Sequence, residues 1–161
     1  MDVFDEELLS FWACLSKHSV SYIMVGGFAT YFNGFERTTN DLDIWLEDTI
    51  PNRKNLRSVF NDLNYGDLPA IETMQFIPGW SSLNVGGIEL DIMTEMKGLD
   101  GLNFQECLNK ASIAYLNGIK IPFLHINQLI LNKKAVNRPK DQIDVIELER
   151  IKKVREGNKS Q

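Results

Sequence analysis

The residues of this sequence that are best suited to chemistry are an acidic pair, Asp41 and Asp43, set within an apolar segment. On a β-strand, residues two apart face the same side, about 6.5–7 Å apart along the chain. The two carboxylates would then stand together while Leu42 and Ile44 face the core. Neighbouring carboxylates raise each other's pKa unless a cation lies between them. Oxygen ligands of this kind suit Mg²⁺ or Mn²⁺.

A second segment repeats the pattern, because Glu89 and Asp91 alternate with apolar residues in the segment 88–92. If this strand lies beside the first, Asp91 completes a carboxylate triad with Asp41 and Asp43. Such a triad can hold two metal ions about 3.5–4 Å apart, a geometry that activates a hydroxyl nucleophile and binds a phosphate. We expect Asp91 to be functional and Glu89 to lie on a solvated face.

Glycines and basic residues could bind a phosphate near these acids. Gly26 and Gly27 follow an apolar run, and glycine lets a backbone approach a phosphate closely. Alone, the pair is better explained as an ordinary strand-to-helix turn, but Arg37 and the acidic pair follow closely. Lys133 belongs to a basic cluster late in the chain. Arginine suits bidentate phosphate contact, and lysine acts as a point charge.

The elements that must position these residues are short strands and helices. Apolar periodicity predicts strands at 22–25, 41–46, 82–85, 88–93, 112–116 and 119–123. It predicts helices at 3–17, 29–33, 51–63, 126–135 and 140–154, with residues 156–161 frayed. Gly-Gly at 86–87 and Asn-Gly at 117–118 predict two hairpins. We therefore expect an α+β fold, a mixed or antiparallel sheet with helices packed on it and a short C-terminal helical extension.

The composition bounds the kind of protein. With 161 residues, 43% apolar and 24% charged, the chain fits one globular domain over 1–161, with a core at about 20–125 and C-terminal helices at about 126–154. No apolar run approaches the ~20 residues that cross a bilayer, and the N-terminus is acidic where a signal peptide is basic. We expect a cytoplasmic protein that binds no membrane. The net charge of -5 argues against broad nonspecific nucleic-acid binding.

The cysteines and histidines give no metal-binding signal in the sequence. Cys14 and Cys107 lack CxxC spacing, and His18 and His125 lack the spacing of paired metal ligands. We expect reduced thiols, neutral histidines and no structural zinc site.

Three short segments carry a recurring pattern: Val25-Gly-Gly, Asp41-Leu-Asp-Ile44 and Leu90-Asp-Ile92. Together they resemble the DNA polymerase beta-like nucleotidyltransferase superfamily, which combines a glycine turn, an acidic pair and a third acid on another strand. The segment 26–44 is similar to small bacterial nucleotidyltransferases related to toxins of abortive-infection and toxin–antitoxin systems. Lys133 to Asp141, followed by Asp144, resembles the end of that branch.

The resemblance implies a nucleotidyltransferase fold and a metal-dependent reaction. A nucleoside monophosphate would pass from a nucleoside triphosphate to an acceptor hydroxyl, with release of pyrophosphate. The resemblance implies three metal-binding and catalytic residues: Asp41, Asp43 and Asp91, the last also acting as a base for the acceptor hydroxyl. It implies that Gly26 and Gly27 hold the triphosphate. Arg37 and Lys133 would help to bind the nucleotide.

The sequence leaves the acceptor open between a tRNA end, a protein hydroxyl and a small molecule. For a toxin-like protein, a cognate antitoxin is an expected partner. Two other functions also fit the residues: a two-metal phosphodiesterase or nuclease, and an inactive nucleotide-binding or partner-binding protein on the same fold.

Overall fold

The computed structural model describes residues 2–3, 5–85 and 87–159, and it contains a six-stranded sheet with helices packed on it. The strands are β1 (Tyr22–Met24), β2 (Asp41–Leu46), β3 (Ser82–Val85), β4 (Ile88–Met93), β5 (Ser112–Leu116) and β6 (Ile119–Phe123). Their order across the sheet is β3-β4-β2-β1-β6-β5. The β2–β4 and β1–β6 pairs are parallel and the others are antiparallel. The prediction of an α+β fold with a mixed sheet is confirmed.

The α-helices, in chain order, are α1 (Glu6–Lys17), α2 (Gly26–Phe32), α3 (Ile50–Asp62), α4 (Phe104–Lys110), α5 (Ile126–Val136) and α6 (Pro139–Lys159). A 3₁₀ turn spans Pro69–Glu72. Side-chain caps define several of the helix starts. The Asp5 carboxylate accepts from backbone N–H groups of α1, and Asn103 forms a capping box with Glu106 at α4.

Several predicted helix bounds were wrong. The first helix begins at Glu6 rather than residue 3, because Asp5 is its N-cap; Phe4, part of the predicted helix, lies outside the described residues. The second begins at Gly26 rather than residue 29. The last continues through Lys159, beyond the predicted end at 154 and into the segment expected to fray. Gly86 of the first predicted hairpin also lies outside the described residues.

One hydrophobic cluster joins the sheet to the helices. Trp12 of α1 packs edge-on against Phe28 of α2, with ring centroids 5.8 Å apart, and Phe32 packs on Phe123 of β6. Both cysteines are buried and free. Within the described ranges, no helix is long and apolar enough to cross a bilayer. Leu42 and Ile44 of β2 and Leu90 and Ile92 of β4 are fully buried, which leaves the acidic residues of these strands on the opposite face of the sheet.

Candidate functional site

The parallel pairing of β2 with β4 brings the predicted acidic residues together. In the register, Asp43 lies beside Asp91 and Asp41 lies beside Glu89. Neighbouring strands are about 4.8 Å apart, so the side chains of each pair stand next to each other on the same face of the sheet. The condition on which the carboxylate triad depends, that the two acidic strands are neighbours, is met.

Two carboxylates of this face, Asp43 and Asp91, lie in an environment that disfavours their charge. The pKa of Asp43 rises to about 6, chiefly through burial and then through the charges of Asp91 and Asp41. Burial also raises the pKa of Asp91. The Gly79 N–H donates to Asp91 Oδ2 at 3.1 Å, while the buried Oδ1 atom has no hydrogen-bond partner among the described residues.

This donor set fits a divalent cation. It offers carboxylate oxygens, which Mg²⁺ and Mn²⁺ favour, and one of those oxygens is buried without a partner. A cation would offset the mutual repulsion that raises the pKa of Asp43. The oxygen atoms of Asp41, Asp43 and Asp91 do not all lie within 4.8 Å of one another. Among the described residues, one group of three potential metal ligands meets that distance, and it lies elsewhere.

That other group consists of Cys14, His18 and Asp62, at the junction of α1 and α3. Asp62 Oδ2 lies 2.8 Å from Lys17 Nζ, 2.8 Å from His18 Nε2 and 3.5 Å from Cys14 Sγ. Lys17 therefore already neutralises the carboxylate. Burial, followed by the hydrogen bond to Asp62, raises the pKa of the Cys14 thiol to about 11. The cluster is a charge-balanced contact between two helices, which sequence spacing missed because Asp62 is distant in the chain.

The two glycines lie directly against the acidic face. Gly26 has φ +62°, and a Cβ there would collide with the Asp43 carboxylate. A Cβ at Gly27 would lie 2.5 Å from Thr39 Oγ1. Glycine is therefore required for backbone conformation at the first position and for close approach at both.

A buried ionic network lies beside the glycines and joins α5, α6 and the loop before β2. Arg37 donates from Nε and Nη2 to the two carboxylate oxygens of Asp144, at 2.7 and 2.8 Å. Lys133 Nζ lies 2.7 Å from Asp144 and 3.5 Å from Asp141. Asp141 also accepts from Arg138 Nε at 2.7 Å. Lys133, predicted to help hold the nucleotide, is only 3% exposed.

The network adds functional candidates that residue patterns alone did not single out. Asp141 and Asp144 are almost completely buried and hold the basic side chains in place. Their spacing of three residues on one helix is a weak signal, since acidic residues at that spacing are common on solvated helices. Both residues belong to the C-terminal segment that resembles nucleotidyltransferases, but the partners of Asp144 come from other elements, so the sequence could not predict those ion pairs.

A cavity of about 1000 Å³ opens over this face of the sheet. Its lining includes all seven predicted site residues: Gly26, Gly27, Arg37, Asp41, Asp43, Asp91 and Lys133. The volume lies at the upper end for small-molecule sites.

Solved structures with this fold span nearly the whole chain. A protein from Thermotoga maritima described as a nucleotidyltransferase aligns with TM-score 0.52 and 16% identity, over 96% of this chain and 91% of that one. The lincosamide antibiotic adenylyltransferase LnuA, bound to lincomycin, aligns with TM-score 0.60 and 19% identity, over 94% and 99%. ANT(2")-Ia, in complex with adenylyl-2"-tobramycin, aligns with TM-score 0.56 and 15% identity, over 95% of both chains. At these identities the likeness establishes the fold.

Sequence comparison establishes the family. No curated protein sequence matches the chain significantly. A family model described as "Nucleotidyltransferase of unknown function (DUF6036)" matches residues 5–155, almost the entire chain. The predicted resemblance to nucleotidyltransferases is thereby confirmed, and the chain belongs to this DUF6036 nucleotidyltransferase family.

Proposed function

We propose that this protein transfers a nucleoside monophosphate from a nucleoside triphosphate to an acceptor hydroxyl and releases pyrophosphate. One observation carries the proposal. Asp43 and Asp91 lie side by side in a cavity that also contains the glycines and basic residues, and Asp91 Oδ1 is buried without a partner among the described residues. That arrangement suits a cation-bound triphosphate and a second substrate on the same face.

The acidic residues have two roles in this proposal. Asp41, Asp43 and Asp91 hold Mg²⁺ or Mn²⁺, which when bound neutralises phosphate charge and favours the ionised acceptor hydroxyl. Asp91 also takes up the proton of the acceptor hydroxyl, the role that the family resemblance implies for the third acid, and its Oδ1 atom has no hydrogen-bond partner among the described residues. The hydroxyl oxygen bonds to the α-phosphorus as the bond to the pyrophosphate oxygen breaks.

The remaining residues position the triphosphate. Gly26 and Gly27 present bare backbone to the phosphates, since side chains at these positions would occupy the space beside Asp43 and Thr39. Arg37 and Lys133 give the adjoining wall of the cavity positive charge, and the charge of Lys133 also favours ionised Asp43.

A small molecule is the acceptor class with the most support. Two proteins of the same fold are described as a lincosamide antibiotic adenylyltransferase bound to lincomycin and as ANT(2")-Ia in complex with adenylyl-2"-tobramycin. A tRNA end and a protein hydroxyl are the alternative outcomes of an acceptor screen. The resemblance to toxin-type relatives adds a cognate antitoxin as an expected partner, which co-purification tests. The cytoplasmic setting expected from the composition stays a proposal.

Calorimetric titration tests the nucleotide site. ATP, GTP, CTP and UTP are titrated with and without Mg²⁺ into the wild type and into the Asp41→Ala/Asp43→Ala variant. We expect Mg²⁺-dependent binding of at least one triphosphate and loss of that binding in the variant. Glu89→Gln is the matched control, because Glu89 lies on the same sheet face and we place it outside the metal site.

The outcomes separate the alternatives. Binding retained in the double variant contradicts the metal assignment. A triphosphate that binds and labels a hydroxyl compound supports transfer, whereas hydrolysis of triphosphate or nucleic acid without transfer indicates a phosphodiesterase or nuclease. Absence of binding to all four triphosphates contradicts the proposal and leaves a partner-binding protein on the same fold.

A further inference from the structure

The basic residues of the cavity differ in whether their charges are already neutralised. Arg37 and Lys133 are paired with Asp144, and Arg138 is paired with Asp141. Arg53, farther along the lining, is paired with Asp48. Carboxylates hold these basic side chains in fixed positions, so much of their positive charge is already neutralised within the protein.

Arg37 shows how completely these groups are engaged. Its Nε and Nη2 atoms donate to Asp144, and Nη1 donates to the Thr38 carbonyl at 3.2 Å. Lys133 is buried between two carboxylates. Breaking either arrangement to reach a phosphate would leave the buried Asp144 carboxylate with only one of its two counter-charges, which is unfavourable.

Two lysines of the lining, Lys97 and Lys140, have no ion pair among the contacts of the described residues. They differ in position. Lys140 immediately precedes Asp141 in α6, and Asp141 pairs with both Arg138 and Lys133 at the wall of the cavity. Lys97 instead lies beside α5, where its backbone carbonyl accepts a hydrogen bond from the Asn132 side chain.

The geometry of α6 directs Lys140 to the cavity. Residues four apart lie on one helix face, so Lys140 shares a face with Asp144 and Leu148, both fully buried. Lys140 lies one turn closer to the start of the helix than Asp144 does. Its side chain is exposed and lines the cavity. The Asp141 carboxylate fixes this start by accepting from the Arg138 backbone N–H at 3.0 Å.

We propose that Lys140 is the residue that donates directly to the phosphate oxygens of the nucleotide, while Arg37 and Lys133 act as fixed charges held by Asp144. This inference rests on the proposed function, because it assigns a further binding residue in the same site. It predicts that binding depends on one exposed lysine that sequence patterns did not single out.

The experiment compares Lys140→Ala with Lys140→Arg and with Lys153→Ala. Lys153 is an exposed lysine on the same helix that does not line the cavity, so it matches the change in net charge. The probes are the tightest-binding nucleoside triphosphate and inorganic tripolyphosphate, both with Mg²⁺. We expect Lys140→Ala to weaken both by about 10- to 100-fold, the size of a hydrogen bond to a charged group. Lys140→Arg should restore most of the affinity, and Lys153→Ala should bind as the wild type does.

Two results would overturn the assignment while the proposed function stands. The first is wild-type binding in Lys140→Ala, and the second is an equal loss in Lys140→Ala and Lys153→Ala, which would show an effect of net charge alone. If the wild type binds no triphosphate, the proposed function and this assignment both fall. Thermal melting of each variant separates loss of binding from loss of folding.

Discussion

At the scale of the residue, Asp43 carries a charge that the folded protein disfavours. Its pKa rises from 3.8 to about 6, so between these values the native protein binds more protons than the unfolded chain. Stability therefore falls as pH rises through this window, and above it the ionised carboxylate remains destabilising. Asp43 destabilises the fold without metal in this way because a carboxylate must be ionised to bind a cation.

Asp43→Asn should remove this cost. We expect the variant without metal to have a higher free energy of unfolding at pH 7.5, by up to about 3 kcal/mol, with a much smaller gain at pH 4.5. Urea denaturation in EDTA at both pH values measures the difference. Added Mg²⁺ should narrow the gap at pH 7.5, because a ligand of the native state stabilises the wild type alone. An equal gain at both pH values would mean that the carboxylate charge is not the cause.

At the scale of the element, the ionic network holds α5 and α6 to the loop before β2. Asp144 of α6 contacts Lys133 of α5 and Arg37 of that loop, so one buried carboxylate joins three parts of the chain. These contacts place the start of α6 over the acidic face. The network therefore contributes both to stability and to the shape of the cavity.

Two neighbouring lysines offer a matched test of this network. Lys133→Met should lower the free energy of unfolding by about 3–5 kcal/mol, because it removes the counter-charge of a buried pair. Lys134→Met should cost no more than about 1 kcal/mol, since Lys134 forms an exposed pair with Glu149. Chemical denaturation of both variants measures the difference. Similar values for the two would contradict a structural role for the buried pair.

At the scale of the whole molecule, the hydrophobic cluster extends from α1 to Leu148 of α6. We propose that the chain is a single domain and expect it to unfold in one cooperative transition. Far-ultraviolet circular dichroism and the fluorescence of the buried Trp12 and Trp45 should give the same midpoint. Separate loss of helical signal before the fluorescence change would show that α5 and α6 unfold independently of the sheet.

The parts of the fold that sequence predicted are those set by local patterns. The strands β2 to β6 have the predicted bounds, because strict alternation and turn residues are local signals. The helix α4 was missed because it is short and buries only Cys107, so it has no apolar periodicity. The start of α2 was missed because two glycines disfavour a helix, and the close packing against Asp43 and Thr39 that requires them is a tertiary contact.

The candidate site was predictable where it follows strand geometry. Alternation on β2 and β4 placed Asp41, Asp43 and Asp91 on one face once the strands were neighbours. The pairing of Arg37 and Lys133 with Asp144 was beyond sequence reasoning, because charged residues far apart in the chain show no pattern. The functional roles of these residues stay predictions.

The parallel pairing of β2 with β4 also governs when the site forms during folding. The hairpins β3–β4 and β5–β6 join strands adjacent in the chain and can form within microseconds. A parallel pair must instead close a long loop, which here contains α3. Asp43 and Asp91 therefore meet late, after most local structure is present. A ligand that needs both carboxylates should therefore lower the rate of unfolding and leave the rate of folding nearly unchanged.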